Sequence, residues 1–184
     1  MGMKILFVAA LWSGLVTACR AETPATNGNN MRIQINSTAF TEGQPIPSRH
    51  AYDQKDISPD LQWSGVPSMA KSLALICDDP DAPNGTWVHW VLYDMTPSMN
   101  GLPEDLPKSP TLDSGAKQGI NDYKKIGYGG PCPPPGKPHR YFFKLYALDF
   151  RPNLKPGLTK EELLKAMEGH VMAEGQLMGT YQHK

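Results

Sequence analysis

The sequence predicts a mostly-β domain built from two antiparallel sheets in a sandwich, with long loops and one or two peripheral helices. Three observations predict it. Eighteen prolines and seventeen glycines among 184 residues are more chain breakers than a helical bundle absorbs. The apolar runs are short, alternating or β-branched and aromatic, and they follow one another without helices between them. Only one segment carries helical periodicity with a start signal.

Taken in order, Met31–Ser37 (MRIQINS) alternates apolar and polar residues, which predicts a strand. Residues 43–59 form a Pro- and Ser-rich loop. Leu61-Gln62-Trp63 is a short strand stopped by Ser64-Gly65. Ser72–Cys77 (SLALIC) is compact and apolar, as a central strand is. Trp87–Met95 (WVHWVLYDM) is aromatic and β-branched, hence a strand. Residues 96–119 read as loop. His139–Asp149 (HRYFFKLYALD) is the longest strand candidate. Thr159–His170 is the helix: Thr159 and Glu162 form a capping box, and Leu163, Ala166, Met167 and His170 share a face. Val171–Tyr181 closes the sheet. No internal repeat and no second domain is visible.

The first thirty residues read as an address. Met1–Lys4 is a short basic start and Ile5–Val16 an apolar run, too short to span a bilayer, which needs about 20 residues. Val16-Thr17-Ala18-Cys19 is similar to a bacterial lipobox, in which the cysteine is acylated and becomes the new N-terminus. The expected organisation is a lipoprotein signal peptide over 1–18, an acylated Cys19 and tether over 19–30, and the domain over 31–184. Cleavage after Ala21 with Cys19 incidental is the alternative. Arg20 is not the acidic residue of an inner-membrane retention signal, so an outer-membrane, periplasm-facing anchor is expected, with a secreted or periplasmic form if Cys19 is not acylated. Residues 21–30 (AETPATNGNN) are polar and aromatic-free, and such a tether reaches roughly 17 Å.

Charge excludes one function class. Eighteen basic and eighteen acidic residues cancel, and nucleic-acid binding leaves a basic surplus. Chemistry-bearing residues concentrate in two segments. In the first, Asp78-Asp79-Pro80-Asp81-Ala82-Pro83 precedes Trp87-Val88-His89-Trp90. Prolines fix the backbone on both sides of Asp81, and Trp87 and His89 share a strand face, with Trp90 on the other. In the second, Gly127-Tyr128-Gly129-Gly130-Pro131-Cys132-Pro133-Pro134-Pro135-Gly136 precedes His139-Arg140-Tyr141. Successive glycine N–H groups can form an anion nest, and His139 and Tyr141 point one way while Arg140 points the other. Two histidines, carboxylates, a tyrosine hydroxyl and a glycine nest suit a small phosphate-bearing ligand. Taken singly, each feature also has a plain structural reading as a turn or a core histidine. His50, His170 and His183 stand apart from both segments and read as structural or exposed.

These two segments resemble the signatures of the phosphatidylethanolamine-binding protein family, which includes Raf kinase inhibitor protein. Asp79-Pro80-Asp81-Ala82-Pro83 with Trp87 and His89 is similar to the first signature, and Gly130-Pro131 with His139-Arg140-Tyr141 to the second. The form of residues 128–134 resembles the bacterial and archaeal branch. Weaker similarity at Ile57-Ser58-Pro59, Trp63–Pro67 and Ala173-Glu174-Gly175 extends the likeness over residues 31–181. The resemblance implies a two-sheet β fold with a small surface anion pocket for phosphate, acetate or phosphorylethanolamine, too small for acyl chains. Asp79, Trp87, His89, Gly130, Pro131, His139 and Tyr141 would line it, with Asp81 beside them and Asp79 orienting His89 or His139 or meeting the ligand's ammonium. Kinase regulation, a role of eukaryotic members, is not expected of an envelope lipoprotein. Bacterial members often carry a cysteine near the position of Tyr52; without it, Cys132 is either free or bridged to Cys77.

The expected function is therefore non-enzymatic binding of a small anionic or phosphorylated ligand, with no cofactor and no metal. A homodimer is compatible with the aromatic strands, and the membrane is met through Cys19. The competing readings are an interaction protein that inhibits a protease or engages another partner, a hydrolase using His, Asp or Cys132, and a metal site of His89, His139, Asp79 and Asp81. No G-x-S-x-G elbow and no H-E-x-x-H or C-x-x-C spacing supports the last two.

Overall fold

The computed structural model describes residues 1–2 and 31–183, so the leader, Cys19 and the tether lie outside the described residues. The elements are β1 Met31–Arg32, β2 Gln34–Asn36, a 3-10 turn Ser48–His50, β3 Leu61–Ser64, β4 Ser72–Asp79, β5 Trp87–Met95, β6 Gly101–Leu102, β7 Lys117–Gln118, β8 His139–Leu148, α1 Lys160–Met167 and β9 Val171–Tyr181. They build a six-stranded sheet in the order β1-β9-β8-β4-β5-β7 and a three-stranded sheet in the order β2-β3-β6.

The central strand β4 shows why the layers stack as they do. All eight of its residues are buried. Leu73, Leu75 and Cys77 face the small sheet, packing with Trp63, Leu61 and Leu102. Ala74 and Ile76 face the other way, into a second core with Leu163 and Met167 of α1. A strand covered on both faces loses the apolar–polar alternation and reads as one apolar run. α1 starts on the capping box expected for it, with Thr159 and Glu162 exchanging bonds with each other's backbone N–H.

Three expectations need correction. The strand expected over 31–37 is two strands: Ile33 breaks the run, its N–H bonding the Glu174 carbonyl, and the chain crosses from the large sheet to the small one. β1 also pairs with β9 in parallel, where only antiparallel pairs were expected. The loop expected over 96–119 contains β6 and β7. Each is two residues long, and two residues carry no readable period.

A bulge shapes the end of β5. Cys77 pairs with Trp90 but Asp78 pairs with Val88, so His89 is the extra residue. A bulge bends the strand and upsets strict alternation. Trp90, expected opposite His89, instead joins the core between the sheets, where its indole N–H donates to Gln118 Oε1.

Candidate functional site

The site lies where β4 ends and β5 and β8 begin. β8 and β5 flank β4 in the sheet, which brings Asp79, His89, His139 and Tyr141 together although sixty residues separate the two motifs. A cavity of about 280 Å³ opens there, lined by Asp79, His89, His139 and Tyr141 at its polar end. Tyr52, Trp87, Tyr123, Pro83, Cys132 and Pro134 contribute to its apolar wall. That volume is at the low end for ligand pockets, which suits a headgroup-sized molecule.

Asp79 is 3% exposed, and both its oxygens are used. Oδ1 accepts the N–H of Asp81 at 2.8 Å, and Oδ2 meets His139 Nδ1 at 2.8 Å. Of the two histidines that Asp79 was expected to orient, it holds His139. His89 is buried and bonds through Nδ1 to the Gly129 carbonyl at 2.7 Å. Burial holds its ionisation below the ordinary histidine range, against the raising pull of that carbonyl and of Asp79. With Nδ1–H donating, neutral His89 presents a bare Nε2. Tyr141 packs edge-on to His89, ring centroids 5.1 Å apart. Its hydroxyl is buried beside Asp79 but within hydrogen-bond distance of no group among the described residues. Burial, reinforced by the charge of Asp79, pushes the Tyr141 phenol upward, so it stays a donor.

The apolar wall is a built aromatic group. Tyr52 and Tyr123 stack at 3.9 Å, and Trp87 meets Tyr123 edge-on at 5.4 Å. Trp87 is 37% exposed and forms the outer lip. The Tyr123 hydroxyl donates to the Gly130 carbonyl at 3.0 Å.

Three residues expected at the ligand stand elsewhere. Asp81 turns outward and forms a two-pronged ion pair with Arg140, at 2.9 and 2.8 Å. The Arg140 bonds hold its carboxyl at about 2. Gly130 and Pro131 stand behind the cavity wall rather than in it. The Gly129 N–H donates to the His89 carbonyl and the Gly130 N–H to Asp56 Oδ1, so the expected anion nest is spent on the protein itself. Gly130 is needed for closeness instead: a Cβ there would lie 2.0 Å from the His50 carbonyl oxygen. The Pro131 carbonyl accepts the Tyr52 N–H. Both residues position the pocket tyrosines.

Cys77 and Cys132 are both free thiols, Cys77 buried and Cys132 exposed at the rim. The bridge between them is therefore absent. Burial, with the charge of Asp53, pushes the Cys132 thiol up rather than activating it. Among the described residues, no three His, Cys, Asp or Glu side chains gather as metal ligands. His50 is fully buried, while His170 and His183 pair with Asp149 and Asp53 at the surface.

Tyr52 and Tyr123 were missed by sequence reasoning. Both sit in polar loops, where a lone aromatic carries no periodic signal. The only available hint was an aromatic residue among charges, as in Asp122-Tyr123-Lys124.

A β-sandwich whose long loops wall a small, aromatic-lipped cavity over a His–Asp pair defines a class of small-ligand binding fold. Residues 36–182 match the family model described as phosphatidylethanolamine-binding protein. The chain belongs to that family. It is 52% identical over 149 residues to a UPF0098 protein of Methanothermobacter thermautotrophicus, covering 81% of this chain and 98% of that one. A UPF0098 protein of Aquifex aeolicus is 46% identical over 151 residues, covering 81% and 88%. Among solved structures, a phosphatidylethanolamine-binding protein homologue of Chlamydia trachomatis superposes with a TM-score of 0.76 at 43% identity, over 84% of this chain and 99% of its own. Escherichia coli YbcL, described as a member of the mammalian family, gives 0.78 at 32% identity, over 83% and 99%. Relatives from bacteria and archaea both match, as the form of residues 128–134 leads one to expect.

Proposed function

We propose that this protein is a non-enzymatic binding module that takes a small anionic or phosphorylated ligand, of the phosphate or phosphorylethanolamine type, into the cavity at Asp79, His89, His139 and Tyr141. One observation carries the reading. The Tyr141 hydroxyl, on a residue that lines the cavity beside Asp79, is buried and within hydrogen-bond distance of no group among the described residues. An unsatisfied buried hydroxyl costs about 1–3 kcal/mol, and a ligand oxygen removes that cost. The aromatic lip limits entry to a headgroup-sized molecule and excludes acyl chains.

The lipoprotein reading belongs to the same proposal. The chain enters the domain at Met31, which pairs with Ala173, itself paired with Ala147. The cavity lies at the other end of β8, beside His139. Eight residues of strand, roughly 27 Å at about 3.4 Å per residue, separate them. A domain anchored at Cys19 in the cell envelope holds the cavity away from its point of attachment, open to soluble ligand.

The test is an amide and histidine NMR titration of residues 20–184 with O-phosphorylethanolamine, beside His139→Ala. Saturable shifts at His89, Tyr141 and Tyr123 that vanish in the variant are expected. No shift at millimolar ligand would sink the reading and leave an interaction protein whose partner contacts survive pocket mutation.

A further inference from the structure

The cavity is proposed to receive an anion, yet it has almost nothing permanent to receive it with. Among the described residues, no lysine or arginine lines it. Lys125 and Arg140 are committed elsewhere, Lys125 to the Tyr52 hydroxyl at 2.9 Å and Arg140 to Asp81. The glycine-loop N–H groups are spent on His89 and Asp56. Both imidazoles give Nδ1 to protein acceptors, Gly129 carbonyl for His89 and Asp79 for His139. Asp79 itself brings a negative charge. Beside the Tyr141 hydroxyl, an entering oxyanion then faces the Asp79 carboxylate and the bare Nε2 of His89.

We propose that the pocket takes up one proton from solvent with each anion, and that Nε2 of His89 receives it; this rests on the anion reading above. The step forms one N–H bond on the ring and breaks none in the ligand. It turns Nε2 from acceptor to donor and supplies the missing positive charge.

His89 is the seat for a geometric reason. His139 already has a carboxylate on Nδ1, whereas Nδ1 of His89 has only a neutral carbonyl. A cation on the His139 ring has that carboxylate to balance it, whereas a cation on His89 has none at its ring nitrogens until the anion enters, which ties its proton to the anion. The groups facing His89 are Asp79 from β4, His139 and Tyr141 from β8, and Asp122 and Tyr123 from the loop after β7. Asp79 and Asp122 favour the cation, but burial outweighs them and keeps the ring neutral while the pocket is empty. Tyr123, like Tyr141, is pushed upward by burial and stays protonated.

The experiment is calorimetric titration of the Arg20–Lys184 chain with O-phosphorylethanolamine at about pH 8, in buffers of different ionisation heat. The second phosphate ionisation lies near 6, so the free ligand no longer carries that proton. Nitrogen NMR of the histidines then locates the proton. Expected are about one proton taken up per ligand, conversion of His89 from the Nδ1–H tautomer to the doubly protonated ring, and affinity falling about tenfold per pH unit above the histidine range. His89→Gln is expected to lose most of the uptake while still melting cooperatively. Saturable binding with no proton uptake, or uptake with His89 unchanged, overturns the inference and leaves the anion reading standing. No saturable heat at millimolar ligand removes the anion reading and this inference with it.

Discussion

Asp78 and Asp79 are neighbours on β4, equally buried, and they face opposite sides of the large sheet. Asp78 points toward α1 and is met by two lysines, Lys144 at 2.9 Å and Lys160 at 2.5 Å. Asp79 points into the cavity and is met by an imidazole and one backbone N–H, with no lysine. A buried carboxylate between two cations is finished: it ties the first residue of α1 to the sheet. A buried carboxylate that holds an imidazole at the edge of a cavity, beside a tyrosine hydroxyl without a bonding partner among the described residues, leaves polar groups facing the cavity rather than the core. On the proposed function, the contrast separates an ion pair that holds the fold from a polar group that serves a ligand, one residue apart.

The comparison can be broken by substitution, starting with the largest effect. Asp78→Asn leaves two lysines facing an amide, and we expect a loss of about 3 kcal/mol in chemical denaturation with ligand affinity unchanged. A loss of binding with intact stability would erase the distinction. Gly130→Ala drives a methyl into the His50 carbonyl, 2.0 Å from the ideal Cβ. Stability is expected to fall by about 2 kcal/mol, and the pocket to loosen with it. Tyr141→Phe sharpens the point: it removes a hydroxyl that lies within bonding distance of no other group among the described residues. The melting temperature should hold or rise, while affinity for O-phosphorylethanolamine drops about tenfold, the worth of one hydrogen bond to an anion. Arg140→Ala is the mildest. It removes an exposed pair that turns away from the cavity, so affinity should not change. The pair's contribution is present above the ordinary aspartate range and disappears as pH falls through about 2, because Asp81 is depressed in the fold. Acid unfolding of the variant should differ from the parent at neutral pH and converge with it below that value.

Much of this was legible beforehand, and the failures have physical causes. β4, β5, β8 and β9 announce themselves because long strands with apolar runs carry their own signal. β6 and β7 do not, because two-residue strands exist only through their partners, β3 and β5. Asp79, His89, His139 and Tyr141 were legible as two rigid, polar motifs whose residues share strand faces. Their meeting depends on β4 lying between β5 and β8, which no local pattern encodes. The bulge at His89 was invisible for the same reason. The glycines of the loop over 127–136 read as an anion nest, and the resemblance put Gly130 and Pro131 at the ligand. Only the partners Asp56 and His89, distant in sequence, show that those N–H groups are already used. The aromatic wall was missed because Tyr52 and Tyr123 acquire meaning by stacking on each other across seventy residues.

The most direct test of the central claim is O-phosphorylethanolamine affinity measured on Asp79→Asn beside Asp78→Asn, with denaturation midpoints for both. The distinction drawn here predicts that Asp79→Asn stays nearly as stable as the parent and loses at least about tenfold in affinity, while Asp78→Asn binds normally and unfolds earlier. Parental affinity in Asp79→Asn would contradict it, because the carboxylate that faces the cavity would then serve the fold alone.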